Sequence, residues 1–209
     1  MTQLAMVVEV DRCIGCKGGC QIACKTEHNI SLGRSRSTLY TMGPTGTFPD
    51  LEMYYLPIMC QQCENPACTR VCPTGACMKR DEDGVIVIDT DVCIGCRACI
   101  NACPFKCNSF NQEMRVSDKC TLCIERREKG LEPACVRNCA GGALHFGDID
   151  DPESEVSKLL KENEGFVYSL PDRGGCRPSN RYILKNAKWI DMMPYTFEKA
   201  LREGTLEDE

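Results

Sequence analysis

The sequence predicts an α+β fold of two similar modules, one inserted in the other, with small strands, short helices and long loops. The first observation is that most of the 19 cysteines fall in four runs of four. The second is that two runs begin with closely similar segments, 11–16 and 91–96, each preceded by an apolar stretch. The third is that two runs end in glycine-containing turns that lead toward strands. Together they indicate an internal repeat.

The third run, residues 93–104, carries the clearest chemistry. It reads Cys-Ile-Gly-Cys-Arg-Ala-Cys-Ile-Asn-Ala-Cys-Pro, so two residues separate each of its first three cysteines, and Pro104 follows the fourth. In bacterial iron–sulfur proteins this spacing lets three cysteines bind one [4Fe-4S] cluster, while the fourth binds a second cluster. One such run therefore implies two clusters.

The other three runs are variations on this spacing. They are Cys13-x2-Cys16-x3-Cys20-x3-Cys24, Cys60-x2-Cys63-x4-Cys68-x3-Cys72 and Cys120-x2-Cys123-x11-Cys135-x3-Cys139. Each [4Fe-4S] cluster takes four thiolates. Four runs of four therefore supply the ligands of four clusters and leave three cysteines over.

Strands and turns place the runs within the two modules. Apolar, β-branched stretches predict strands over 4–10, 51–58 and 85–88. Glycine turns after Cys72 and Cys139 predict two more strands. The serine, threonine, glycine and proline-rich stretch 31–49 predicts a surface excursion. Charged segments predict helices over 152–163 and 195–203.

The repeat sets the module boundaries. A ferredoxin-like module over 57–108 contains the second and third runs, and it is inserted into another whose halves are 1–56 and 109–150. Residues 151–209 form a C-terminal extension, which we expect to pack on these modules or on a partner subunit.

Composition limits the alternatives. Only 6% of the 209 residues are aromatic, so cluster ligation must supply much of the folding free energy, and the apoprotein should be poorly folded. The net charge of -5 gives no basic footprint for nucleic acid. No run of about twenty apolar residues predicts a membrane span. The first residues lack the features of a secretory signal.

Two other uses of cysteine compete with iron–sulfur ligation. A disulfide framework fits poorly, because the cysteine count is odd and the chain is long for such a scaffold. Structural zinc is the stronger alternative, since paired Cys-x2-Cys units also form tetrahedral sites. Zinc does not require a third cysteine two residues on or a proline after the fourth, so the motif favours clusters.

The motifs resemble the four-cluster iron–sulfur subunits of the dimethyl sulfoxide reductase family. The cysteine runs, the segment 60–76, and residues 120–123 with Gly130 and 133–135 carry the resemblance, which covers about 4–148. It implies a non-catalytic electron-transfer subunit. This subunit would relay single electrons between a molybdenum or tungsten bis-pterin cofactor, held by a large catalytic partner, and a membrane anchor or soluble carrier.

The resemblance also implies a ligand set for each cluster. The family pairs the first run with the fourth and the second with the third, and the last cysteine of each run crosses to its partner run. The four implied sets are Cys13, Cys16, Cys20 and Cys139; Cys24, Cys120, Cys123 and Cys135; Cys60, Cys63, Cys68 and Cys103; and Cys72, Cys93, Cys96 and Cys99. Every ligand position matches a cysteine, so four [4Fe-4S] clusters are expected.

Two positions depart from the family pattern. The first run has an extra residue within 17–19, which its two glycines should absorb. The fourth run has Ala140 where proline is usual, and the additional backbone N–H there should favour a reduced cluster.

The resemblance leaves some questions of function open. A polyferredoxin-type subunit of a hydrogenase or of a tungsten aldehyde oxidoreductase remains an alternative, as does a zinc-binding interaction module. We expect a cytoplasmic protein, or a periplasmic one exported with a partner that carries a signal.

Several residues near the motifs are expected to be structural. A packing role is predicted for the three remaining cysteines, Cys77, Cys107 and Cys176, although the first two lie close to ligands in the sequence. Structural roles are also predicted for His28, His145 and Trp189. Four charges near the runs are expected to be solvated on the surface, namely Lys17, Arg97, Lys119 and Arg137.

Overall fold

The computed structural model describes residues 2–189, in which short helices and strands are joined by long loops. This confirms the α+β class. The helices are α1 (Gly19–Glu27), α2 (Ala67–Arg70), α3 (Ala98–Ala102), α4 (Ile124–Arg127), α5 (Ala134–Arg137) and α6 (Glu155–Glu162). Two 3-10 turns, Val10–Arg12 and Cys16–Gly18, precede α1.

The strands within residues 2–189 form one four-stranded sheet and three two-stranded sheets. Their order is β8-β1-β10-β9 in the large sheet, with β2-β3, β4-β5 and β6-β7 as separate pairs. The strands are β1 (Leu4–Glu9), β2 (Ser37–Thr47), β3 (Asp50–Met59), β4 (Cys77–Lys79), β5 (Ile86–Ile88), β6 (Asn108–Asn111), β7 (Val116–Lys119), β8 (Leu144–Asp148), β9 (Val167–Tyr168) and β10 (Arg181–Ile183).

Strand β1 joins distant parts of the chain. It pairs antiparallel with β8, with Val8 opposite Leu144, and parallel with β10, with Val8 opposite Tyr182. Its central residues are fully buried, which explains their nearly continuous apolar character. The segment before the first cysteine run therefore lies beside the segment that follows the fourth run.

The small hairpins carry the chain between cysteine runs. Strands β4 and β5 pair antiparallel between the second and third runs, and β6 and β7 pair between the third and fourth. The strands expected over 4–10, 85–88 and after the two glycine turns are confirmed.

The expectation of a surface excursion over 31–49 was wrong in part. Residues 37–47 form β2, which pairs antiparallel with β3 along a long hairpin and is interrupted between Met42 and Thr45. The threonines and the tyrosine before Met42 have high strand propensity. The hairpin tip is strongly exposed, with Phe48 at 84%, and so is Leu32 before β2, at 94%. The strand expected over 51–58 lies within β3 and is confirmed.

One extended core contains both apolar side chains and cysteines. Leu56, Tyr54 and Tyr182 are buried in the same cluster as many predicted ligands. The helix expected over 152–163 is confirmed as α6, which begins where Ser154 Oγ accepts a hydrogen bond from Ser157 N at 3.1 Å. The helix expected over 195–203 lies outside the described residues.

Candidate metal centres

All 19 cysteines lie within the described residues, and none of them forms a disulfide. Burial, mutual charge effects and hydrogen bonds describe the surroundings of these thiols. We name each predicted ligand set after its lowest-numbered cysteine. The four sets are the Cys13, Cys24, Cys60 and Cys72 groups.

The Cys13 group brings the first three cysteines of the first run together with the last cysteine of the fourth. Burial raises the pKa of the Cys20 thiol to about 11, and the nearby Cys13, Cys16 and Cys139 add to this effect. Cys16 is exposed, so the group reaches the protein surface. Cys139 Sγ accepts a hydrogen bond from the N–H of Ala143 at 3.2 Å, rather than from Ala140 as the sequence suggested.

The Cys24 group lies deeper. Burial, together with the charges of Cys120 and Cys123, raises the pKa of Cys24 to about 12. Burial strongly raises the pKa of Cys135, and the charges of Cys120, Cys123 and Cys24 add to this effect. His28 Nε2 lies 3.1 Å from Cys123 Sγ. Because burial lowers the pKa of His28, a neutral imidazole is favoured there.

The Cys60 group is the most buried of the four. Cys60, Cys63 and Cys68 are all buried, and Cys103 is partly buried. Burial raises the pKa of Cys60 to about 11. Burial also raises the pKa of Cys63, which is affected in turn by the charges of Cys60, Cys103 and Cys68.

The Cys72 group connects the second and third runs. Burial raises the pKa of Cys99, with contributions from nearby Cys93 and Cys72. Cys96 is exposed on the loop between Cys93 and Cys99. Cys72 Sγ accepts a hydrogen bond from the N–H of Cys77 at 3.3 Å.

Glycines shape the two loops that begin the first and third runs. Gly15 and Gly95 occupy equivalent positions and adopt φ values of 73° and 69°, a region that favours glycine. The extra residue of the first run is absorbed in the same way, because Lys17 and Gly18 both have positive φ and α1 starts directly after them. Here one of the two expected glycines, Gly18, takes the left-handed conformation.

The three remaining cysteines all lie near the Cys60 group. Cys77 forms a hydrogen bond with Cys68, which lowers the pKa of Cys68 to about 7. Cys107 forms one with Cys103, which lowers the pKa of Cys103 to about 6. Cys176 is buried near Cys63. These cysteines pack in the core as expected, but two of them also contact predicted ligands.

Lys119 contradicts the expectation of a surface charge. It is 1% exposed, and its Nζ donates hydrogen bonds to the carbonyl oxygens of Ile86 and, at 2.8 Å, of Cys120. The charges of Cys60, Cys120 and Cys68 raise the pKa of this ammonium group against the opposing effect of burial. The expectation was wrong because lysine is rarely buried, and the pairing of β6 with β7 that brings Lys119 inward is not visible in the motifs.

The other three charges are exposed as expected: Lys17, Arg97 and Arg137. Their exposure confirms the prediction of surface charges near the cysteine runs. Arg97 also stacks over the Phe110 ring, with 3.9 Å from its guanidinium carbon to the ring centroid.

Structural roles for Trp189 and His145 agree with their contacts. The Trp189 ring stacks on Tyr54 with a centroid separation of 5.0 Å, and its Nε1 donates to Glu52 at 2.9 Å. His145 Nε2 lies 2.8 Å from a carboxylate oxygen of Glu9, across the pairing of β8 with β1.

The predicted ligand sets match the ligand number of a [4Fe-4S] cluster. Across residues 2–189, no three His, Cys, Asp or Glu side chains converge closely enough to share a single metal ion. A [4Fe-4S] cluster binds four thiolates through different irons, and each group supplies four thiols. No helix within the described residues is long and apolar enough to cross a membrane. Fold and site together define an iron–sulfur protein of the electron-transfer class.

Comparisons with known proteins identify the family. A 4Fe-4S dicluster domain matches residues 51–149. The chain is 38% identical to a protein assigned as the iron–sulfur subunit of a dimethyl sulfoxide reductase in Halobacterium salinarum, covering 100% of this chain and 88% of the relative. It is also 38% identical to a subunit of the sulfite dehydrogenase of Allochromatium vinosum, over 88% of this chain and 83% of the relative.

A third relative agrees with the first two. A subunit of the tetrathionate reductase of Salmonella typhimurium is 38% identical over 86% of this chain and 71% of its own length. The chain therefore belongs to the iron–sulfur electron-transfer subunits of the dimethyl sulfoxide reductase family. This bears out the resemblance drawn from the cysteine runs.

Proposed function

We propose that the chain holds four [4Fe-4S] clusters, one in each cysteine group, and passes electrons along them. The observation that carries this proposal is the crossing of the run ends. Cys139 lies with the first three cysteines of the first run, and Cys24 lies with those of the fourth. Such crossing is how paired runs share two clusters in ferredoxins.

The strand pairing supports the nested arrangement of modules. Because β1 pairs with β8, the first and fourth runs are held together across the chain. The β4-β5 hairpin connects the second run to the third over a much shorter distance in sequence. We propose modules over 1–56 with 109–150 and over 57–108, with the C-terminal extension 151–209 packing on these modules or on the partner subunit.

The exposure of the cysteines determines which of the four proposed clusters can exchange electrons with other proteins. When bound, a [4Fe-4S] cluster takes up and releases one electron at a time. Exposed Cys16 and Cys96 give the Cys13 and Cys72 groups access to the surface, whereas the Cys24 and Cys60 groups contain no exposed cysteine. We therefore assign electron exchange with partners to the two exposed groups and internal transfer to the other two.

The names of the relatives support a large catalytic partner. Those relatives are subunits of a dimethyl sulfoxide reductase, a sulfite dehydrogenase and a tetrathionate reductase, and the first is named as an iron–sulfur subunit. We propose a partner that holds a molybdenum or tungsten bis-pterin cofactor, with a membrane anchor or soluble carrier as the second partner. These names favour this assembly over a hydrogenase-type one. The protein would act in the cytoplasm, or in the periplasm after export with its partner.

Metal and acid-labile sulfide analysis of the purified native complex tests this function. We expect about sixteen irons from this chain, since each cluster contributes four, and molybdenum or tungsten from a co-purifying large chain. A matched complex with Cys176→Ser should keep the same iron content, because Cys176 is not in a ligand set. Zinc in place of iron would overturn the proposal, and nickel without molybdenum or tungsten would favour the hydrogenase-type alternative.

A further inference from the structure

The loop between Cys13 and Cys16 is uneven in its exposure. Ile14 is 64% exposed and Cys16 is exposed, yet Gly15 between them is buried. A Cβ built on Gly15 would lie 2.7, 2.8 and 2.8 Å from three ring atoms of Tyr55. Carbon atoms in favourable contact are about 3.5–4.0 Å apart, so the Tyr55 ring lies directly on the backbone of this loop and leaves no room for a side chain.

Tyr55 belongs to β3, and the two faces of this strand have different surroundings. Successive side chains of a strand point to opposite faces. Tyr54 and Leu56 are buried in the core, so Tyr55 and Pro57 share the other face. Leu39 of β2 pairs with Pro57 across the hairpin and therefore lies on this same face.

This second face of the hairpin is turned toward the Cys13 group. A small cavity is lined by Leu39 and Pro57 together with four predicted ligands, Cys13, Cys16, Cys20 and Cys139. The hairpin therefore forms one wall of this cluster site. Tyr55 closes the wall where the loop from Cys13 to Cys16 reaches the surface.

The equivalent loop of the third run has a looser cover. Gly95 is only partly buried, and the Phe110 ring comes no closer than 3.4 Å to a Cβ built there. The atom nearest to that Cβ is the carbonyl oxygen of Arg115. Of these two loops, the one in the Cys13 group is therefore the one that an aromatic ring closes directly.

We propose that Tyr55 is a positioning residue for the cluster of the Cys13 group, because its ring holds the loop from Cys13 to Cys16 and keeps water from this side of the cluster. This proposal rests on the ligand sets of the proposed function. One-electron reduction adds one negative charge to a cluster and its thiolates, and solvent exposure is among the factors that determine its potential. Water stabilises added charge better than a protein interior does. The ring therefore keeps the reduction potential of this cluster lower than an open loop would.

Redox titration of the iron-loaded chain, followed by the electron paramagnetic resonance of the reduced clusters, measures this potential. The signal of the Cys13 group is assigned as the one that Cys20→Ser removes. Tyr55→Ala should raise the ratio of reduced to oxidised cluster at a fixed potential by about tenfold, which is about 59 mV for one electron. It should also speed the release of this cluster's iron to a chelator.

Matched variants separate the ring from the fold. Tyr55→Phe keeps the ring and should retain the wild-type potential and rate of iron release. Tyr168→Ala removes the same ring from a half-buried position on β9 and should change neither quantity. If Tyr55→Ala does not fold, Tyr55→Leu takes its place, with a smaller shift expected in the same direction.

A double variant tests the contact from the side of the loop. Gly15→Ala should displace the Tyr55 ring and also raise the potential of the Cys13 cluster. Substitutions of residues in contact are not additive. The combination of Gly15→Ala with Tyr55→Ala should therefore have the potential of Tyr55→Ala alone, because no ring is left to displace.

The outcomes distinguish this proposal from the proposed function. An unchanged potential in Tyr55→Ala with full iron content, or in Tyr55→Leu where Tyr55→Ala does not fold, would overturn it. A Tyr55→Phe variant that behaves like Tyr55→Ala, or additive shifts in the double variant, would do the same. If wild-type protein carries fewer than four clusters, or if Cys20→Ser removes no signal, the ligand sets of the proposed function fail instead.

Discussion

The Cys13 and Cys60 groups contain the same ligand chemistry in opposite surroundings. The Cys13 group includes an exposed thiol, Cys16, and a backbone N–H donates to its Cys139. The Cys60 group has no exposed thiol, and the buried ammonium group of Lys119 lies near two of its members, Cys60 and Cys68. Cysteine spacing therefore defines where clusters bind, while residues outside the motifs define how each cluster behaves.

Loss of one ligand should have the largest effect and should separate the two groups. Cys60 is 5% exposed within the core, whereas Cys16 is exposed. We expect Cys60→Ser to lose its whole cluster, about four irons, and to unfold at a clearly lower temperature, because cluster binding contributes folding free energy. Cys16→Ser should lose one cluster's worth of iron at most and keep its fold.

Iron content per chain and thermal unfolding followed by circular dichroism provide the comparison. Cys107→Ser serves as the control, since it alters a cysteine near the Cys60 group without removing a ligand. Equal loss of stability in Cys60→Ser and Cys16→Ser would show that burial does not distinguish the two groups.

Equivalent glycines should give an intermediate effect. A Cβ at Gly95 would lie 2.3 Å from the carbonyl oxygen of Arg115, whereas one at Gly15 would lie 2.7 Å from the Tyr55 ring. The left-handed conformation costs either alanine variant about 1–2 kcal/mol. Gly95→Ala should lose more, because a backbone carbonyl moves less easily than a tyrosine side chain.

Chemical denaturation of the iron-loaded proteins measures this difference. Gly130→Ala is the control, since Gly130 has φ of 70° with nothing within 4 Å of an added Cβ, and it should show the conformational cost alone. Equal free energies of unfolding for Gly95→Ala and Gly130→Ala would mean that the Arg115 carbonyl shifts without cost.

The sequence predicted the family and most local elements better than it predicted the surroundings of the cysteines. Spacing identifies the runs because cluster geometry constrains neighbouring cysteines directly, and the apolar stretch of β1 identifies a buried strand. Strand β2 was missed because Gly43 and Pro44 obscure a strand that an irregularity interrupts. The position of Lys119 depends on the pairing of β6 with β7, which a single sequence does not reveal.

Replacement of Cys176 should give the smallest effect and should separate hydrogen bonding from burial. Cys176 is 1% exposed near Cys63, yet its charge effect on Cys63 comes without a hydrogen bond between the two sulfurs. Cys176→Ala removes a small buried sulfur, which costs about 1 kcal/mol of stability, and should leave the potential of the Cys60 group unchanged. The test is a redox titration of Cys176→Ala and of Cys77→Ala, which compares the potential of the Cys60 group in the two variants. If both variants shift the potential equally, burial rather than hydrogen bonding sets it, because Cys77 donates to a ligand and Cys176 does not.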